Sequence, residues 1–347
     1  MFRKMNVIIV VILLLVLFIT TGCATKKYVP AEIEKAKPPI IHEKIDEIKL
    51  PKIDLATIKA NEAGQVMILM YHVIGAEKEK DWIQTTENFR RDLLTLYNEG
   101  YTLIDLNDFV NNNISVPAGR TPVVLTFDDA SIGQFRYIIA EDGTKTIDPE
   151  CAAGILLDFA DKYPELGYTA TFYMNAEPFG QREYWKEKLQ EMISLGFAIG
   201  NHSLTHPKLN KLTSERVQKE LAELAKLVEE AVPGYKVRSL ALPFGISPEE
   251  RSLAAEGSFQ GYSYTHNAIL KVGANPAISP ISKDYDPLYL PRVQASSVEL
   301  EKWFEYFRKH PEKRYISDGD STTIAVPKEQ SDTVDRQKIG DKELIIY

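Results

Sequence analysis

The sequence predicts an α/β chain built on a parallel sheet. Three observations lead there: short apolar runs alternate with amphipathic stretches, the charged and imidazole side chains cluster just after the apolar runs, and no internal repeat interrupts the alternation. The body opens with "VMILMYH", an apolar run of strand length that closes on His72. "TTENFRRDLLTLYNEG" then places Phe89, Leu93, Leu96 and Tyr97 at helical spacing and stops at Gly100, as a helix does. "TPVVLTF" is the next strand and runs directly into Asp128 and Asp129. A helix around Ala152 to Tyr163, the strand "YTATFYM", the helix "YWKEKLQEMISLG", the strand "FAIG", a long helix from about Ser214 to Ala231 and the strand "VRSLALPF" complete the pattern. In such folds the loops at the C-terminal ends of the strands carry the chemistry.

Ahead of the body, a short basic segment, Met1 to Lys4, precedes "NVIIVVILLLVLFITTGC", the layout of a secretory signal. Its ending, "TTGCAT", resembles a bacterial lipobox in which Cys23 is lipidated and becomes the mature N-terminus; Thr20 stands where an aliphatic residue is usual. An uncleaved membrane anchor is the alternative. Both put the body outside the cytoplasmic membrane, so the expected location is the cell envelope of a bacterium. The expected divisions are a signal at 1–22, a flexible tether at 23–64, one domain at 65–327 and a tail at 328–347. The remaining cysteine, Cys151, has no partner and sits near a helix start, so no disulfide framework and no catalytic thiol is expected. The balance of 41 basic against 49 acidic residues, a net charge of -8, argues against a nucleic-acid partner. A monomer is expected.

Two strings carry the chemistry. In "VVLTFDDA" a buried strand ends on two adjacent carboxylates, which is costly unless a cation or a proton-transfer task offsets it. In "GFAIGNHSLTHPKL" His202 and His206 lie four apart, but Pro207 biases His206 away from helical geometry, so the pair belongs on a strand-end loop. Two histidines and one aspartate make a three-ligand site with open positions, as a hydrolytic metal ion requires.

Together "TFDDA", "HSLTH", "ATFYMN" and "AIGNH" resemble the motifs of the carbohydrate esterase family 4 polysaccharide deacetylases, the NodB homology domain. The resemblance implies a distorted (β/α) barrel with about seven parallel strands. It implies Asp129, His202 and His206 as ligands of a divalent metal, zinc first with cobalt or nickel as alternatives, and Asp128 as the general base. The substrate implied is an N-acetylglucosamine-containing polysaccharide, either exopolysaccharide or peptidoglycan. Two positions depart from the family. No late Leu-x-His follows, but "ILMYH" resembles the opening strand of the circularly permuted poly-N-acetylglucosamine deacetylases, which makes His72 the general acid. "LALPFG" carries Ala241 where the family has Arg; Pro243 and Phe244 fit, with a backbone N–H for an oxyanion hole, and Arg292 in "YLPRVQ" is the substitute partner for Asp128. His266 is a contact behind the metal ligands, a substrate contact or incidental, and Tyr71, Phe127, Tyr173 and Tyr264 line a sugar groove or the core. An O-acetyl xylan esterase and a catalytically silent carbohydrate-binding protein are the competing functions.

Overall fold

In the computed structural model, residues 53–347 apart from Glu177 are described; the expected signal, and the expected tether up to residue 52, lie outside them. Eight parallel strands form the central sheet: β1 Met67–Tyr71, β2 Tyr101–Leu103, β3 Thr121–Phe127, β4 Thr171–Met174, β5 Ala198–Asn201, β6 Ser239–Ala241, β7 Ala268–Leu270 and β8 Val293–Gln294. A run of seven follows the order β7-β6-β5-β4-β3-β1-β8, with β2 beside the start of β3. The sheet curls, and its edges meet where Leu290, just ahead of β8, bridges Leu270. This is the mixed α/β, barrel-like architecture of the NodB type.

Both faces of the sheet are covered, which is why its strands read as unbroken apolar runs. Met67, Leu69 and Tyr71 in β1, with Val123, Leu125 and Phe127 in β3, face the outer core. Against them pack α1 Thr86–Asn98, α2 Ala152–Lys162, α3 Trp185–Ser194, α4 Ser214–Ala231 and α5 Ser297–Lys309. The alternate residues Ile68 and Val124 turn inward and fill the lumen with Phe109, Tyr173, Leu270 and Tyr315. Thr85, Thr213 and Ser296 cap the helices α1, α4 and α5 through their hydroxyls. Cys151 is the buried residue just before α2, and burial pushes its thiol up, in keeping with a packing role.

Two expectations change. The packed body begins before residue 64: Asn61 pairs with Ile316, and Gly64 lies so close to the Arg314 backbone that a Cβ there would sit 2.3 Å from its carbonyl carbon. Polar composition reads as a tether locally, but the partners are some 250 positions away in the chain. Beyond Pro327 the tail folds back, its Glu343–Ile346 strand running parallel to Thr323–Val326. Among the described residues no helix is long and apolar enough to cross a membrane.

Glu62 ties these ends together. Its carboxyl accepts from the Ala325 amide at 2.9 Å and the Tyr315 hydroxyl at 3.0 Å, and burial, then Asp318, pushes it up to about 8. A group raised in this way contributes its full stability below the unfolded value, and the contribution is lost as pH rises toward about 8. Glu62→Gln is therefore expected to flatten the fall in melting temperature between about pH 5 and 8. Melts of both proteins at several pH values check this, and a constant difference across the range would contradict it.

Candidate active site

The sequence clusters converge at the C-terminal ends of β1, β3, β5 and β6. Asp128 continues the inward phase of Val124 and Thr126, so its carboxylate enters the top of the lumen. Asp129 would point the other way on a regular strand, but its φ of +72°, followed by +46° at Ala130, redirects the chain and brings the second carboxylate to the same cleft. The adjacency of the two acids is thus resolved by a turn.

Asp129 Oδ1 lies 3.3 Å from His202 Nε2 and 3.6 Å from His206 Nε2. The three ligand atoms lie within 4.8 Å of one another. His202 is buried, and its Nδ1 is 2.8 Å from the Ala241 carbonyl; a proton held there leaves the Nε2 lone pair, on the Asp129 side, free for a cation. One carboxylate and two imidazoles so oriented fit a hydrolytic divalent ion. Burial alone would lower the His202 imidazole, yet Asp128 and Asp129 raise it, whereas burial and then His202 lower His206. The negative field that attracts a proton to His202 would equally attract a cation.

Asp128 is held differently. Arg292, fully buried, donates from both terminal nitrogens to its two oxygens at 2.7 Å each, and also donates to Thr126 Oγ1 and the Lys271 carbonyl. Burial would raise this carboxyl, but Arg292 and then His202 hold it well below the usual carboxylate range. His72 Nε2 lies 3.9 Å from Asp128 Oδ2, and its Nδ1 is buried without a hydrogen-bond partner among the described residues. Burial lowers the His72 imidazole, with Asp128 and Asp129 opposing.

His72, Asp128, Asp129, His202 and His206 line a cleft of about 520 Å³ whose rim carries two exposed aromatic rings, Trp82 and Phe244. Phe244 has φ +57° and packs 4.6 Å from the His206 ring; Pro243 is buried and is not part of the lining. Tyr71, Phe127, Tyr173 and Tyr264 are buried in the core, so the groove reading does not hold for them. Their strand positions under helices or inside the lumen explain this. His266 is buried too, lowered to about 4 by burial, and reaches Asn201 at 3.3 Å rather than the cleft. Sequence reading missed Trp82, whose ring lies 4.9 Å from that of His72, although a lone tryptophan in the charged "EKEKDWIQ" is a signal of exposure for use. It also missed Gln134, whose amide donates to the carbonyls of His72 and Asp128 and joins the two segments.

Residues 115–264 match the family model described as polysaccharide deacetylase. This stretch is a polysaccharide deacetylase domain. The chain is 24% identical over 249 residues to the Bacillus subtilis protein YxkH, assigned by name to the polysaccharide deacetylases, covering 70% of this chain and 75% of that one. A chitooligosaccharide deacetylase of Rhizobium leguminosarum bv. phaseoli is 27% identical over 161 residues, 46% of this chain and 58% of its own length. A polysaccharide deacetylase structure from Bacillus cereus superposes with a TM-score of 0.51 at 21% identity, covering 69% of this chain and 68% of that one, a likeness of fold. The matched stretch contains Asp128 and the candidate metal ligands Asp129, His202 and His206, whereas His72 precedes it and Arg292 follows it. The curled sheet brings these two outliers to Asp128.

Proposed function

We propose that this polysaccharide deacetylase hydrolyses the N-acetyl groups of an N-acetylglucosamine-containing polymer in the bacterial cell envelope. The observation that carries the reading is the division of labour between adjacent carboxylates: Asp129 faces two imidazoles, while Asp128 is gripped by Arg292 and faces His72. A divalent ion on Asp129, His202 and His206, most simply zinc, would polarise the acetyl carbonyl and acidify an attacking water.

Asp128 accepts the proton of that water as its oxygen bonds to the acetyl carbon; Arg292 keeps the carboxylate ionised and aimed. His72, in its protonated form, gives a proton to the amide nitrogen as the carbon–nitrogen bond breaks, so acetate and a free amine leave. The backbone N–H of Phe244 is the proposed donor to the carbonyl oxygen, and Trp82 and Phe244, which line the cleft, offer faces for sugar rings. Support for the envelope comes from residues 1–23, with a lipid on Cys23 as the proposed anchor. Residues 61–66 enter β1 from the end opposite the cleft.

The test is acetate release from N-acetylglucosamine oligomers and from peptidoglycan by the full chain. Release is expected with added zinc, to stop on chelation, and to fall 10²- to 10⁴-fold in Asp128→Asn. Release that persists after chelation would sink the metal reading, and metal binding without release from any acetylated glycan would sink the enzymatic one.

A further inference from the structure

We infer that Glu220 is a positioning residue for the metal-ligand loop, setting the affinity of the site for its cation from a helix outside the cleft. The inference rests on the metal reading above. Glu220 lies on the buried face of α4 beside Val217, Leu221 and Leu224, where a carboxylate is costly unless its oxygens are satisfied. No cation pairs with it among the described residues. Instead both oxygens are used on one residue: Oε2 accepts the Thr205 amide at 2.8 Å and Oε1 accepts the Thr205 hydroxyl at 2.7 Å. The Glu220 carbonyl also accepts the Leu204 amide at 3.1 Å.

Thr205 lies between the two histidines, directly ahead of His206. Ser203 and His206 both have left-handed backbones, φ +62° and +54°, conformations that L-residues adopt at a cost. The loop at this point has already left β5, so the sheet does not fix its path. Ser203 Oγ accepts the His206 amide at 3.1 Å, and the Ala176 amide donates to the Leu204 carbonyl at 3.0 Å. The carboxylate of Glu220 supplies the anchor from the helical layer, so the His206 imidazole is presented by a clamp on its predecessor.

The test is titration of the full chain with Co²⁺ alone, read by visible ligand-field absorption and by competition with a chromogenic chelator. Glu220→Ala is expected to bind Co²⁺ 10- to 100-fold more weakly with an altered spectrum, the range found when groups that orient metal ligands are removed. Thr205→Val, which removes the hydroxyl arm and keeps the amide, is expected to weaken binding less, and the double variant no more than Glu220→Ala, because the two share one interaction. A Glu220→Ala protein that melts cooperatively and binds Co²⁺ with wild-type affinity and spectrum overturns the inference. Should that variant not fold, wild-type affinity in Thr205→Val overturns it. Absence of Co²⁺ binding in the wild type removes the metal reading itself, and the inference with it.

Discussion

Replacing Arg292 with methionine is expected to destabilise the protein by about 3–5 kcal/mol at neutral pH, the cost of leaving one member of a buried ion pair alone. Methionine fills much of the space but cannot answer the two Asp128 oxygens now met at 2.7 Å. The sign of the pH dependence distinguishes this from a general packing defect. In the wild type Asp128 is depressed, so its contribution is present above the unfolded value and is lost as pH falls through the lower folded one. Without Arg292, burial dominates and raises the carboxyl, so the variant recovers stability as acid protonates it. Urea unfolding should show a deficit that is largest near pH 7 and shrinks toward pH 4. A deficit below about 1 kcal/mol, or one independent of pH, would show that the pair is not what keeps Asp128 ionised. Arg292→Lys is expected to recover only part of the loss, since an ammonium cannot bond both oxygens in parallel.

Replacing His72 with alanine is expected to lower turnover on N-acetylglucosamine oligomers 10²- to 10⁴-fold while leaving cation affinity unchanged, because His72 is not among the three clustered ligands. An acid works in its protonated form, so wild-type activity should fall on the alkaline side through the titration of His72. Burial places that limb below the ordinary imidazole value, and His72→Ala should lack it. Turnover against pH for both proteins checks this. A variant that loses cation binding along with turnover would mean His72 acts on the ligand cluster instead of on the leaving group.

β1 and β3 to β6 were legible because each is a short apolar run, and α1 to α4 because each has a clear 3.6-residue stripe, as in Phe89, Leu93 and Leu96 of α1; β2, β7 and α5 went unread. The ligand cluster was legible because its parts are local strings, "FDDA" and "HSLTH". What could not be read is long-range and conformational. Arg292 and Asp128 are separated by 164 positions, and only the family resemblance, with Ala241 in place of the usual arginine, linked them; the strings around each are silent on the pairing. Glu220 looks like one more charge on an amphipathic helix until its carboxylate is seen beneath Thr205. The docking of residues 59–64 depends on backbone partners in the segment 312–316, which their own polar composition conceals. Tyr71, Phe127 and Tyr173 are aromatic beside a sugar-sized cleft, but strand phase and sheet curvature, rather than residue type, decide that they face the cores.

Trp82, Asp129, His206 and Phe244 line the cleft, and each has a positive φ without being glycine. Such backbones cost roughly 1–3 kcal/mol apiece and persist because the surroundings hold them. The mouth of this barrel is therefore where heat tolerance and turnover compete: substitutions that relax these four positions raise the melting temperature while dispersing the groups that act on substrate. Selection for thermal endurance alone would erode the cleft first, and a durable catalyst is better sought by altering exposed positions on the outer helices, such as Val298 of α5, which contribute nothing to that geometry.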